Sequence, residues 1–262
     1  MPYIQIDGQN LYYQVEGTGI PIIFIHPFLI TQEVFDHQRE LADRYQLIRL
    51  DVRGHGKSRD FQGDLDYSLV VSDVIQLMDH LGIQQAYICG YSTASSIALF
   101  ALMTHPQRFL GGVLVSGMSE IKTLRVKGLI WLAKMLSNPL TKKLLALSIA
   151  SGNANDFKTF KKLYTHSLQS NIDHVKVFLD SGLKFNCTDH LPNIQQPVLL
   201  VYGKSDSRFR KNAHLLHQKI PKSTLYFLNG TPHQIPTKNH LLLNELIRNW
   251  IHDQQYRLSS QP

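Results

Sequence analysis

Short apolar runs alternate with amphipathic stretches through the first half of the chain. The runs at 20–25, 86–89 and 112–116 are nearly continuous in apolar and small residues, which is how strands buried on both faces of a parallel sheet read. Residues 46–50 (Gln46-Leu47-Ile48-Arg49-Leu50) read as another strand. Residues 11–16 read as an antiparallel entry to the sheet, with Gly17-Thr18-Gly19 as its turn. Between these runs, residues 31–45 predict a helix with Thr31 as N-cap. A second helix is predicted over 67–81, where Val70, Val74, Ile75, Leu77, Met78 and Leu81 keep helical spacing up to the stop at Gly82. A third runs from residue 93 to about 104.

Past Gly117 the period changes. Residues 119–190 carry helical periodicity and no convincing strand, with Leu129, Leu132, Ala133 and Leu136 expected on one buried face and Lys127 and Lys134 turned away from it. Strand and helix alternate again from 196–202, where Pro197 opens a strand at the position that best tolerates its missing N–H. A helix at 211–219, a strand at 224–228 and a helix from 239 to about 255 complete the pattern. The prediction is an α/β fold, a mostly parallel central sheet flanked by helices, built from 1–118 and 191–262 and interrupted by an all-helical cap at 119–190.

Composition agrees with a folded chain: 262 residues, 43% hydrophobic and 18% charged. The N-terminus lacks the basic and apolar regions of a secretory signal, and no uncharged stretch reaches membrane-spanning length. Two cysteines, Cys89 and Cys187, make no disulfide framework. A cytoplasmic setting is the resulting expectation. The net charge of +7 is concentrated in 119–190, which holds eleven Lys and Arg against five Asp and Glu. No nucleic-acid-binding motif accompanies it, so the expected reading is a solvated helical face, with membrane-surface contact disfavoured. Trp131, Met135, Leu136, Leu140, Leu144, Leu145 and Leu147 are correspondingly expected to pack in the core of the cap.

Three residues change the picture from fold to chemistry. Ser92 follows the 86–89 strand in Gly90-Tyr91-Ser92-Thr93-Ala94, a tight strand-to-helix turn that would lift a hydroxyl above the sheet. A serine hydroxyl needs a base to take its proton and a third group to orient that base. Asp206 lies just past the 196–202 strand and His233 just past the 224–228 strand, and functional loops of open α/β sheets converge at those strand ends. The order Ser92, Asp206, His233 is that of a hydrolase triad.

With Ile22-Ile23-Phe24-Ile25-His26-Pro27-Phe28 and Asp51-Val52-Arg53-Gly54-His55-Gly56-Lys57-Ser58, the chain resembles the α/β-hydrolase superfamily, near its capped esterases, lactonases and carbon–carbon-bond hydrolases. The resemblance covers nearly the whole sequence. It departs from the family pattern at Pro27, at Ala94 and Ser95, where elbow glycines are more usual, and in 207–210, which lacks a proline often found there. It implies Ser92 as nucleophile, His233 as general base and acid and Asp206 as orienting carboxylate. Phe28 and Thr93 would supply the oxyanion-hole N–H groups.

No metal or cofactor is required. The His214/His217 pair lacks the further ligands of a metal site, and His26, His55, Arg53 and Asp51 are expected to be structural. The expected substrate is a small carboxylic ester or lactone, in an apolar pocket lined by Phe28, Tyr91 and Trp131. Carbon–carbon-bond hydrolysis or acyl transfer on the same triad, and a receptor of the same fold with little turnover, are the alternatives.

Overall fold

The computed structural model describes residues 2–60, 63 and 65–259. The apolar runs become the strands β1 (Tyr3–Ile6), β2 (Gln9–Glu16), β3 (Ile20–Ile25), β4 (Tyr45–Leu50), β5 (Ala86–Tyr91), β6 (Phe109–Val115), β7 (Val198–Gly203) and β8 (Ser223–Leu228). They form one sheet in the order β1-β2-β4-β3-β5-β6-β7-β8. β2 pairs antiparallel with both β1 and β4, and every other pairing is parallel. Successive strand residues go to opposite faces. Ile23, Ile25, Ile88, Leu114 and Leu200 therefore join one core layer, and Ile22, Phe24, Cys89, Val113 and Leu199 join the other.

Helix α1 (Tyr67–His80) begins where Asp66 accepts from the Leu69 N–H at 2.8 Å. It ends as expected, with Gly82 in the left-handed region. α2 (Ala94–Thr104) is buried along most of its length. On the C-terminal side lie α7 (Arg210–Lys219), α8 (Ile235–Lys238) and α9 (His240–Ser259). The helix expected at 31–45 is instead a kinked 3-10 segment over Gln32–Asp43, interrupted at Phe35. Thr31 is its N-cap residue but makes no side-chain cap bond; the Gln32 N–H is taken at 2.9 Å by Asp51, from the end of β4. A tertiary acceptor has replaced the local one.

Between β6 and β7 the chain forms the inserted helical cap: α3 (Leu124–Met135), α4 (Lys142–Asn153), α5 (Phe157–Ser167) and α6 (Ile172–Lys184). Entry and exit are tied together by an isolated antiparallel bridge between Glu120 and Asn186, by the Cys187 N–H bonded to Ser119 O, and by the Ser119 and Thr188 hydroxyls at 2.8 Å. The inner stripe of α3 differs from the expected one. Val126, Ile130 and Ala133 are buried, whereas Leu129 and Leu132 face solvent with Trp131 and Met135. Leu140, Leu144 and Leu147 are also exposed, and of the expected cap core only Leu145 is fully buried, with Leu136 partly so.

The order of strands fixes where a site can form. The chain leaves β3 toward β4 on one side and returns to β5 on the other, so the loops after β3 and β5 diverge and open a crevice at the carboxyl edge.

Candidate active site

Ser92 stands at that edge in a left-handed conformation, φ 54°, which a residue with a Cβ adopts only when its surroundings impose it. Its N–H donates to Val115 O at 2.8 Å, and its carbonyl accepts from the Ser95 N–H at 3.0 Å and the Ser95 hydroxyl at 2.5 Å. The Ser95 hydroxyl accepts in turn from the Met118 N–H at 3.0 Å. α2 passes so close to β5 that a Cβ on Gly90 would lie 2.6 Å from the Ala94 carbonyl oxygen. Glycine is required at 90. At 94 and 95 it is not, and the Ser95 hydroxyl ties the Ser92 carbonyl to the segment that follows β6.

His233 and Asp206 arrive on neighbouring loops. A Cβ on Gly203, the last residue of β7, would collide with the Thr231 and Pro232 carbonyl oxygens, so the bare glycine lets the histidine loop lie against the strand. Ser116 holds that loop from below, its hydroxyl donating to His233 O at 2.9 Å. The imidazole Nδ1 is then 2.7 Å from Asp206 Oδ2, and Nε2 is 2.9 Å from Ser92 Oγ. With Nδ1–H donating to the carboxylate, Nε2 is left to accept from the serine hydroxyl.

The Phe209 ring packs on the imidazole with centroids 4.4 Å apart. The other Asp206 oxygen accepts from Arg208 Nε at 2.9 Å, so an arginine steadies the carboxylate in the segment without the usual proline. Burial pushes the Asp206 carboxyl up, but the His233 hydrogen bond and charge, with Arg208, hold it below its ordinary value. It is a carboxylate at neutral pH.

On the other side of the crevice, His26 braces the loop after β3. Its Nδ1–H donates to Pro27 O at 2.8 Å and its Nε2 accepts from the Val52 N–H at 2.9 Å, a pairing that needs the neutral ring. Burial, followed by neighbouring His55, pushes its pKa down to about 3. Because the C=O and N–H of a trans peptide point in opposite directions, holding Pro27 O turns the Phe28 N–H away from His26. Among the described residues neither the Phe28 nor the Thr93 N–H has a hydrogen-bond partner.

Phe28 and Thr93 also line a narrow cleft. Tyr67 from α1, Ile130 from α3, and Phe178 and Gly182 from α6 complete most of its wall, so the cap helices roof it. The expected pocket residues need correction. Trp131 is 59% exposed, because one residue along a helix is a turn of about 100°; its neighbour Ile130 faces the cleft instead. Tyr91 is buried beside His233, centroids 5.7 Å apart, and its hydroxyl donates to Asn153 Oδ1 at the end of α4. It fastens the cap to the sheet rather than lining the cleft. His55, Arg53 and Asp51 hold loops: Asp51 accepts from the Gln32 and Lys57 N–H groups, and Arg53 pairs with Asp73. His217 has Ser223 Oγ at 3.0 Å.

Residues 20–237 match the family model described as alpha/beta hydrolase fold. The chain belongs to this family. The uncharacterized hydrolase YugF of Bacillus subtilis is 25% identical to this α/β hydrolase over 94% of the chain and 96% of its own length. An esterase from Exiguobacterium antarcticum superposes with a TM-score of 0.86 at 19% identity, over 95% of this chain and 98% of its own. The enol-lactonase from Burkholderia xenovorans LB400 gives 0.85 at 17% identity, over 96% and 100%. These likenesses establish the α/β-hydrolase architecture and its cap.

Sequence reasoning missed Ser95, Ser116 and Arg208 as supports of the site, and Tyr67, Phe178 and Gly182 as cleft walls. Ser95 carried a signal, as a small polar residue where glycine was expected, and Arg208, two residues from Asp206, lies in the 207–210 segment marked by its missing proline. The others act across chain separations that no local pattern records.

Proposed function

We propose that this α/β hydrolase cleaves short-chain carboxylic esters or lactones through an acyl-enzyme on Ser92. The supporting observation is the hydrogen-bonded line Ser92 Oγ, His233 Nε2, His233 Nδ1, Asp206 Oδ2, with steps of 2.9 and 2.7 Å, on a turn that forces Ser92 to positive φ. In this reading His233 takes the hydroxyl proton as Oγ attacks the ester carbonyl, and Asp206 stabilises the imidazolium. The oxyanion that forms is met by the Phe28 and Thr93 N–H groups. His233 then gives its proton to the departing alkoxide, and water repeats the sequence to release the acid. Fixed N–H donors at a developing oxyanion are worth about 100- to 1000-fold each.

The size limit comes from the cleft. It is narrow, its walls are mostly aliphatic and aromatic, and side chains of α3 and α6 close over it. A small acyl group demands the least movement of α3 and α6; a long chain would have to displace them. The esterase and enol-lactonase that share the fold have activities in keeping with this reading.

The test is labelling by a fluorophosphonate, read by intact mass, with turnover of nitrophenyl esters of increasing length. One label per chain, lost in Ser92→Ala, with turnover falling steeply as the acyl chain lengthens, is the expected result. Asp206→Asn should lower kcat by about 10⁴ while the protein stays folded. Absence of label on folded protein would overturn the proposal in favour of the receptor reading.

A further inference from the structure

α3 has apolar residues on both sides. Its inner stripe of Val126, Ile130 and Ala133 is spent on the fold. On the opposite side Leu124, Trp131, Leu132 and Met135 are 85%, 59%, 50% and 56% exposed. Leu124, Trp131 and Met135 recur at spacings of seven and four residues, and Leu132 lies beside them, so they form a stripe along the helix. A solvent-facing helix of a soluble domain ordinarily turns charged and polar residues outward. Here Leu140, in the turn that follows, is 94% exposed as well. A contiguous apolar surface of this kind is characteristic of an interaction site.

The charges around it select the partner. Arg125 and Lys127 on α3 and Lys143 at the start of α4 are exposed, and none forms an ion pair among the described residues. Residues 119–190 contain eleven basic and five acidic side chains. A second copy would bring the same positive surface face to face with this one, and like charges oppose that pairing. An anionic bilayer satisfies both features. Apolar side chains enter the acyl boundary, Trp131 sits at the headgroup level, and Lys and Arg remain among the phosphates.

We infer that the outer face of α3 and the turn after it form a docking surface for an anionic lipid bilayer. The contact is peripheral, since among the described residues no helix is long and apolar enough to cross a membrane. Ile130, on the inner side of the same helix, walls the cleft, so docking would set the cleft one helix diameter, about 10 Å, from the lipid surface.

The experiment is co-sedimentation of the full chain with vesicles of phosphatidylcholine alone or mixed with phosphatidylglycerol, combined with tryptophan emission. Trp250 is buried and Trp131 exposed, so docking is expected to shift emission to the blue with anionic vesicles only, and the shift should vanish in Trp131→Phe. Leu132→Ser/Met135→Ser and, separately, Arg125→Glu/Lys127→Glu should each weaken vesicle binding about tenfold or more. All of these side chains are exposed, so retained melting temperature checks the fold. Three results would overturn the inference: no binding to anionic vesicles at low salt, equal binding to zwitterionic ones, or a dimer in solution that Leu132→Ser converts to monomer.

Discussion

Ser95 occupies a position where glycine was the expectation, and its hydroxyl makes two bonds that glycine could not. It donates to the Ser92 carbonyl and accepts from the buried Met118 N–H. Removing it strands a buried donor, which costs about 1–3 kcal/mol, and frees one limb of the turn that holds Ser92 at φ 54°. Ser95→Ala should therefore lower stability by about that amount in urea denaturation and reduce kcat more than it raises KM, because binding groups are untouched. A variant as stable and as active as the parent would remove Ser95 from the elbow's support. Ser92, Asp206 and His233 were legible because strand ends are visible in the pattern; Ser95 was legible only as an irregularity.

At the scale of elements, the loop after β4 is pinned to α1 by one buried pair. Arg53 donates from Nε to Asp73 Oδ2 and from a terminal nitrogen to Oδ1, both at 2.6 Å, and both residues are nearly inaccessible. Loss of Asp73 removes the buried guanidinium's nearest carboxylate and leaves the more distant, 69% exposed Asp7 at 3.6 Å. Asp73→Ala should cost up to about 3–5 kcal/mol in urea denaturation, and adding Arg53→Met should recover part of the loss, since the under-compensated buried charge and not the missing bond dominates. A double variant less stable than Asp73→Ala would contradict that account. The 3-10 segment at Gln32–Asp43 shows the same dependence on distant groups. Its apolar spacing suggested an α-helix, but Asp51 receives the first N–H from another strand, a competition that local propensity cannot register.

Across the whole molecule, the two most strongly lowered histidines stand where the loops after β3 and β4 meet. His26 and His55 stand 5.3 Å apart by ring centroid; burial and adjacent imidazoles lower them from 6.5 to about 3 and about 4. The unfolded chain takes up protons first, so the stability these neutral rings supply is complete above about pH 6.5 and is lost as pH falls toward 4 and 3. Asp51, raised by burial to about 7, acts in the opposite sense over part of that range, favouring the folded state as pH falls. A comparison of variant with parent separates the two. In His55→Asn, the fall in urea midpoint between about pH 7.5 and about pH 5 should be smaller than in the parent; an equal fall would assign the acid sensitivity to other groups.

The sequence by itself determined the alternation of strands and helices, the helical character of the cap and the candidate triad, because each is written in local periodicity or in a short motif beside a strand end. Tertiary structure decided which way cap side chains face, the 3-10 form of residues 32–43, the supports of Ser92, Asp206 and His233, and the walls of the cleft. Trp131 and Ile130 show the reason. They are neighbours of similar hydrophobicity, and only the direction from which α6 packs against α3 sends Ile130 to the cleft and leaves Trp131 in solvent. An apolar residue carries a preference for burial, but the partner that buries it lies elsewhere in the chain.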